Sequence, residues 1–118
     1  MNSPLSWNLR VAVREGQLDA GRALMEEMVE ATKAETGTLA YEWFLDAEGA
    51  ACHIHERYAD SAAAMVHIDS FGAHFAERFL ACFEPAGLAV YGEPSAEVRV
   101  ALDPFGAAYL ATWGGFAK

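Results

Sequence analysis

The side chains best suited to chemistry near neutral pH are the four histidines of the chain. His67 lies in a segment with helical periodicity, with Phe71 one turn along and His74 two turns along. An imidazole titrates near neutrality and can accept a proton there. His67 is therefore the candidate catalytic residue, and the alternative is a histidine that serves the helix surface or the core. His67 and His74 have no carboxylate neighbours in the sequence that would complete a metal site.

His53 and His55 form an H-x-H pair on a predicted strand, and Glu42 is expected opposite them. Two imidazoles two residues apart on a strand can share a metal ion, and a carboxylate would supply a third ligand. Arg57 on the same strand face would repel a cation, and no fourth ligand is evident. We therefore predict no metal, and polar contacts across a dimer or with solvent are the favoured interpretation.

Two aromatic-rich segments, 38–45 and 50–58, are predicted to be the strands of a hairpin whose turn is residues 46–49. This turn pairs Leu45 with Ala50, and alternation then places two sets of side chains on opposite faces. The first face carries Tyr41, Trp43, Ile54, Glu56 and Tyr58, and the second carries Glu42, His53, His55 and Arg57. The aromatic set could stack against a planar ligand, although packing in a core or a dimer interface is the favoured explanation.

The composition is typical of a folded, acidic domain. The chain has 118 residues, of which 53% are hydrophobic, and a net charge of −9. These values predict one domain over residues 1–118 and exclude a disordered chain. Eight basic residues without a basic run argue against a nucleic acid or an anionic membrane surface as partner. No apolar run reaches the ~18 residues of a membrane span.

Neither cysteine has the surroundings of a nucleophile. Cys52 lies in a predicted strand and Cys82 in a Phe-rich helix end, so both are interpreted as small buried hydrophobic residues. Two cysteines do not make a disulfide framework, which favours a reducing, cytoplasmic compartment. No helix follows Gly114-Gly115, so nucleotide binding at a glycine-rich phosphate loop is not supported.

Hydrophobic periodicity predicts six elements in the order strand, helix, strand, strand, helix, strand. Besides the hairpin, they are a strand at 7–13, a helix at about 17–34, a helix from about 60 to 83 and a short strand at 88–91. Asp69-Ser70 or Gly72 is expected to interrupt the second helix, and Pro85 with Gly87 to end it. This order predicts a ferredoxin-like α+β subunit, βαββαβ, with a four-stranded antiparallel sheet and both helices on one face.

The sheet face that lies away from the helices is expected to be apolar as well. Large apolar side chains fall on both sides of the predicted strands: Trp7 and Leu9 lie opposite Ala12, and Phe44 lies opposite the aromatic set of the hairpin. An exposed apolar face usually marks an interface. We therefore predict a homodimer in which the two sheets pack on each other.

Residues 95–118 fall outside the six elements and form a C-terminal extension. Ser95 can cap a short helix to about Leu102, residues 103–106 have turn composition, and residues 107–113 could be extended. The extension is expected to dock, because its many large apolar side chains are unfavourable in water. It is predicted to cross the dimer seam or to cap a pocket mouth, the alternative being packing on the helices of its own subunit.

Three short motifs resemble those of a known family. Residues 35–43, ETGTLAYEW, are similar to the E-x-G-x-x-x-Y entry into the second strand of the antibiotic biosynthesis monooxygenase (ABM) family, a branch of the dimeric α+β barrel superfamily. Residues 56–61, ERYADS, resemble that family's exit from the third strand into a helix, and residues 64–67, AMVH, contain a helix histidine similar to that of many members. The resemblance covers residues of about 5–93, and the extension resembles one seen only in some relatives.

The resemblance implies a homodimeric α+β barrel and a range of reactions. Members of the family oxygenate quinols and polyketide-like phenols without metal, haem or flavin. For this chain the resemblance implies a monooxygenase that needs no cofactor and acts on a small aromatic or quinol-like ligand. His67 would bind or deprotonate the substrate. The residues implied to shape the pocket are Tyr41, Trp43, Tyr58, Phe71 and His74.

Two alternatives to this function stay open. The first is a non-catalytic, small-molecule-binding or stress-associated dimer, because the same fold and pocket would serve both roles. The second is haem, since relatives that degrade haem use a histidine and a tryptophan on the second helix with an asparagine on the first strand. Asn8 and His74 match that set loosely, but the second helix has no tryptophan, which disfavours haem.

Overall fold

The computed structural model describes residues 3–118 as an α+β, ferredoxin-like fold. The strands are β1 (Leu5–Val13), β2 (Thr38–Leu45), β3 (Ala51–Tyr58), β4 (Phe83–Tyr91) and β5 (Ala107–Leu110). The helices are α1 (Leu18–Lys33), α2 (Ser61–His74), α3 (Ala76–Cys82) and α4 (Ala96–Leu102), and a 3₁₀ turn (Asp103–Phe105) joins α4 to β5. The predicted βαββαβ order is confirmed.

The sheet has five strands in the order β2-β3-β1-β4-β5, so the prediction of four strands was incomplete. The first four strands pair antiparallel, whereas β5 pairs parallel to β4, from Leu88 opposite Ala107 to Tyr91 opposite Leu110. Residues 107–110, AAYL, do not alternate between apolar and polar, so the sequence indicated only that residues 107–113 could be extended. Strand β5 covers the edge of β4, which would otherwise expose unpaired backbone groups.

One face of the sheet is buried under the helices and the other is open. The buried face carries the large apolar side chains, including Leu5, Trp7, Val11, Ile54, Tyr58, Leu88 and Val90. The open face carries Asn8, Arg10, His53, His55 and Arg57, together with the half-exposed Phe44 and Tyr91. The predicted second apolar face is therefore mostly polar, because alternation directs nearly all the large apolar residues toward the helices.

The hairpin between β2 and β3 has a different register from the predicted one. Leu45 pairs with Cys52, two residues beyond the predicted partner, and Tyr41 pairs with Glu56. The Asp46 carboxylate accepts hydrogen bonds from the backbone N–H groups of Ala50 and Ala51 at 2.8 and 3.1 Å, which stabilises the longer turn. A shift of two residues leaves each side chain on the same face of the sheet, so the predicted assignment of the hairpin residues to two faces is confirmed.

The second predicted helix ends close to the predicted residue, at Cys82, but its interruption and the start of the following strand differ from the prediction. Its interruption lies at Phe75, between α2 and α3, and not at Asp69-Ser70 or Gly72. Strand β4 begins at Phe83, so Pro85 lies inside a strand that was predicted to begin at Leu88. A register shift there leaves one residue unpaired, and a bulge of this kind tolerates a proline, which has no N–H to donate.

The C-terminal extension docks on its own subunit as far as Leu110. The Ser95 hydroxyl caps α4 by accepting a hydrogen bond from the Val98 N–H at 3.2 Å, and the Ser95 N–H donates to Ser61 Oγ at the start of α2, at 3.0 Å. Val98 is completely buried against the core. Because β5 pairs with β4, residues 107–110 do not form an arm that leaves the subunit, and Leu102 and Phe105 lie at a cavity wall, as the pocket-cap alternative predicted. Trp113 and Phe116 beyond β5 are exposed.

Two further features of residues 3–118 bear on the sequence interpretation. None of the helices in this part of the chain combines the length and the hydropathy needed to cross a bilayer. Cys52 and Cys82 are both buried, as predicted for small hydrophobic residues. Burial raises the pKa of the Cys52 thiol to about 11, so this side chain is a thiol and not a reactive thiolate at neutral pH.

The burial of Val98 predicts that the extension contributes to stability. We expect Val98→Ala to lower the free energy of unfolding by about 1.5–3 kcal/mol, since the substitution removes fully buried methyl groups and leaves a cavity. Val100→Ala is the matched control on the exposed side of the same helix, where 73% of Val100 is accessible, and it should change stability by less than about 0.5 kcal/mol. Urea denaturation measures both, and equal effects would contradict docking of α4.

Candidate active site

A small apolar cavity lies between the buried face of the sheet and the helices. Its volume is about 60 Å³. The polar side chains in its wall are those of Tyr41, Glu56 and His67. The apolar wall consists of Trp7, Leu9, Met28, Ile54, Ile68, Phe71, Phe79, Leu88, Ala101, Leu102 and Phe105. An apolar pocket with a few convergent polar groups is the usual form of a ligand site.

His67 is held at this cavity by carboxyl groups at both of its ring nitrogens. The Asp60 side chain caps α2 by accepting a hydrogen bond from the Ala63 N–H at 2.8 Å, and His67 follows on the buried side of the helix. His67 Nδ1 lies 3.0 Å from Glu35 Oε1, and Nε2 lies 3.3 Å from Glu56 Oε1. The imidazole therefore links two carboxyl groups that come from different elements.

Glu35 reaches His67 because the turn after α1 packs closely on α2. A Cβ on Gly37 would lie 2.4 Å from the Ala63 Cβ, so only glycine permits this approach. The Ala59 N–H donates to Gly37 O at 2.9 Å, and the Thr38 hydroxyl donates to Glu35 Oε1 at 2.8 Å. The turn thus fixes the Glu35 carboxylate against Nδ1 and orients the ring.

Glu56 is a buried carboxyl group on β3, where 6% of the residue is exposed. Burial raises its pKa above the ordinary value, and the nearby His67 opposes that rise only in part. The Tyr58 hydroxyl donates to Glu56 Oε1 at 2.5 Å. Burial, and then the neighbouring Glu56 carboxyl, raises the pKa of the Tyr41 and Tyr58 hydroxyls, so both stay protonated.

These contacts form one chain of proton-exchanging groups, from Glu35 through His67 to Glu56. With Glu56 neutral, its O–H donates to Nε2 while the Nδ1–H donates to the Glu35 carboxylate, and every group has a partner. A second proton can then be accepted on the ring, where Glu35 would stabilise the resulting imidazolium. The arrangement can take up and return a proton at the wall of an apolar cavity.

The structure brings together some of the predicted site residues and leaves others apart. His67, Tyr41 and Phe71 line the cavity. Tyr58 lies behind Glu56, with its ring centroid 5.6 Å from that of His67. Trp43 packs edge-on against phenylalanine rings beside a different surface depression, and His74 is exposed at the end of α2, so neither contacts the cavity.

The sequence interpretation missed two of the residues that complete the site. Glu35 and Glu56 are the carboxylate neighbours that His67 was predicted to lack, and they come from elsewhere in the chain. Glu56 had a recognisable signal, because it alternates with Ile54 and Tyr58 on the face that was expected to be buried. Glu35 had no signal from alternation, since it lies in the turn that follows α1, but it is the glutamate that begins the E-x-G-x-x-x-Y motif.

The H-x-H pair lies on the open face of the sheet. The Asn8 amide donates to His55 Nε2 at 3.1 Å, and Glu42 pairs with His55, whereas it was predicted opposite His53. No cluster of three or more histidine, cysteine or acidic side chains within residues 3–118 has the arrangement of a metal site.

A model of the antibiotic biosynthesis monooxygenase family matches residues 4–84. The chain belongs to this family. Comparison with curated proteins gives no match.

The fold of this ABM protein is similar to that of several solved structures. MupZ from Pseudomonas fluorescens is 22% identical with a TM-score of 0.87, and the match covers 100% of this chain and 91% of MupZ. Rv0793 from Mycobacterium tuberculosis is 27% identical with a TM-score of 0.58, over 75% of this chain and 90% of Rv0793. A further antibiotic biosynthesis monooxygenase is 23% identical with a TM-score of 0.63, over 73% of this chain and 92% of its own.

The raised pKa of Glu56 predicts a pH-dependent effect of Glu56→Gln on stability. The folded protein holds this proton more tightly than the unfolded chain does. The stabilisation is therefore complete below the ordinary value of 4.5 and is lost as the pH rises through the raised pKa. Glutamine does not titrate, so the stability of the wild type relative to Glu56→Gln should fall from pH 4.5 to pH 8.

Urea denaturation at a series of pH values measures this difference. Glu30→Gln is the matched control, because Glu30 is an exposed carboxylate on α1, and its difference from the wild type should stay nearly constant. A Glu56→Gln difference that is flat across the same range would contradict a raised pKa.

Proposed function

We propose that this ABM protein is a cofactor-independent monooxygenase that acts on a small phenol or quinol. The observation that supports the proposal is the buried Glu56–His67 pair at the wall of an apolar cavity. Dioxygen reacts directly with a substrate only when that substrate is electron-rich, and a phenol becomes so when it loses its proton. A proton acceptor in a site with little water meets this need.

The phenol proton passes to His67 through Glu56. The Glu56 carboxyl receives the substrate proton on one oxygen as it passes its own proton to Nε2. The resulting imidazolium is stabilised by the Glu35 carboxylate at Nδ1. Glu35 has the orienting and charge-stabilising role that a buried carboxylate has beside a catalytic histidine.

The balance of the reaction requires the same proton later. The phenolate transfers electrons to O₂, and a new C–O bond gives a peroxide anion on a ring carbon, which takes the proton held by the Glu56–His67 pair and becomes a hydroperoxide. The ring carbon then gives its hydrogen to the pair as a proton, the electron pair of that C–H bond forms the C=O bond, and the O–O bond breaks. The departing hydroxide takes up this second proton from the pair and leaves as water. A phenol and O₂ thus give a quinone and water.

A non-catalytic binding protein is the second candidate. The observation that favours it is that both ring nitrogens of His67 already have partners within the protein. In that case the chain of carboxyl groups would serve to stabilise the buried polar side chains, and a ligand would bind without turnover.

Turnover distinguishes these two functions. We expect His67→Ala to lower the rate of O₂ consumption with a phenol or quinol substrate by about 10²- to 10⁴-fold, the usual contribution of a general base. His74→Ala removes an exposed imidazole from the same helix and should leave the rate unchanged. Labelled ¹⁸O₂ should place one atom in the product. An unchanged rate in a folded His67→Ala protein would contradict the proposed role.

We further propose that the active form is a homodimer in which the open sheet faces of two copies meet. Although this face is mostly polar, membership of the ABM family and the half-exposed Phe44 and Tyr91 on this face support the proposal. Sedimentation at micromolar concentration should give about twice the 12.8 kDa of one chain. Phe44→Glu adds a charge to the open face and should shift the protein toward the monomer. Val66→Glu makes the same change on an exposed part of α2 and should not. A wild-type mass of one chain would contradict the dimer.

A further inference from the structure

One wall of the cavity comes from outside the part of the chain that matches the family. We call residues 95–110 the roof segment, and Ala101, Leu102 and Phe105 of this segment line the cavity. The family match ends at residue 84. The match to MupZ covers the whole chain, whereas the matches to Rv0793 and to the further monooxygenase cover 75% and 73% of it. The roof segment is therefore a feature that family membership does not explain.

The cavity is too small for an aromatic ring while every wall is in place. An apolar cavity of about 150 Å³ accommodates one benzene ring. The cavity here measures about 60 Å³. The cavity can enclose a phenol ring completely only if one of the lining side chains moves, so the side chain that moves decides which ligands fit.

Among the partly buried residues of the cavity wall, Phe105 is the one that lies outside the strands and α-helices, since the others are on β1, β2, α2 and α4. The strands behind Trp7 and Ile54 are paired on both sides, and Phe79 is completely buried. Phe105 is only partly buried and lies in a three-residue 3₁₀ turn. Gly106 follows at φ 73°, with open space where a Cβ would lie, so the chain can pivot there.

The contacts that hold this turn lie at the surface. The Tyr109 hydroxyl donates to Asp103 Oδ1 at 2.6 Å, and the Arg99 guanidinium lies 4.3 Å from the centre of the Tyr109 ring. Exposed contacts of this kind are individually weak. Movement of Phe105 therefore costs less than movement of a strand or of Phe79.

We infer that Phe105 is the specificity-determining residue of the site and that the roof segment selects ligands with a single aromatic ring. The ring of the ligand takes the space that the Phe105 ring leaves, so a monocyclic phenol or quinol fits and a fused bicyclic one does not. This inference rests on the proposed function for the location of the ligand, because it places the phenol hydroxyl at Glu56.

Binding of two probes that differ by one ring tests the inference without any need for turnover. Isothermal titration calorimetry with phenol and with 1-naphthol gives an affinity ratio for each protein. The wild type should favour phenol. Phe105→Ala should shift the ratio toward 1-naphthol by at least about tenfold, since even one methylene in a pocket changes discrimination by that much.

Two more variants complete the design. Ala101→Leu narrows the cavity at the same wall. It should weaken the binding of both probes, that of 1-naphthol more strongly. It keeps the Phe105 contacts and so tests the inference even if Phe105→Ala unfolds. Val100→Ala is the matched control, because Val100 lies beside Ala101 but is exposed, and its ratio should equal that of the wild type.

Three results would overturn the inference. The first is the same phenol to 1-naphthol affinity ratio in the wild type and in both cavity variants. The second is a change of this ratio in Val100→Ala as large as that in Phe105→Ala. The third is that neither probe binds to the wild type. Failure of the proposed function gives a different result: the probes bind with the expected ratios, which supports the inference, but no O₂ is consumed.

Discussion

The buried carboxyl group of Glu56 is the constraint on which the rest of the site depends. An unpaired carboxylate in an apolar interior costs several kcal/mol, so the group must be neutral or must have partners. Tyr58 supplies one partner from two residues along the same strand face. His67 supplies the other, and this contact requires α2 to pack directly over β3. The chemistry of one side chain therefore constrains the position of a helix on the sheet.

The position of that helix depends in turn on the turn between α1 and β2. Any side chain at Gly37 would separate this turn from α2 by collision with Ala63. Separation would withdraw Glu35 from His67 Nδ1 and leave the ring without its orienting carboxylate. Gly37 does not line the cavity, but it is part of the site. The hydrogen bonds from His67 to Glu35 and Glu56, at 3.0 and 3.3 Å, form only while the turn stays this close to α2.

The cavity combines a part that the family shares with a part that it does not. Residues 4–84 match the family and include β1, β2, β3, α1, α2 and the proton-exchanging side chains. The roof segment closes the opposite wall through Leu102 and Phe105 and adds Val98 to the same core as Trp7 and Tyr58. A single fold can serve different ligands when the residues that limit the pocket lie on such an added segment.

Local pattern in the sequence determined the order of the elements, the face of each hairpin residue and the choice of His67. Alternation along a strand indicates which face of the sheet a side chain lies on. An error of two residues in the strand pairing leaves that face unchanged, as it did for Tyr41 and Glu56. The tertiary structure alone decided that Glu35, 32 residues away from His67, lies against its ring. It alone also decided that helix α2 breaks at Phe75 and that β5 pairs with β4. Distances between elements arise from packing of the whole core, which a periodic pattern within one element does not contain.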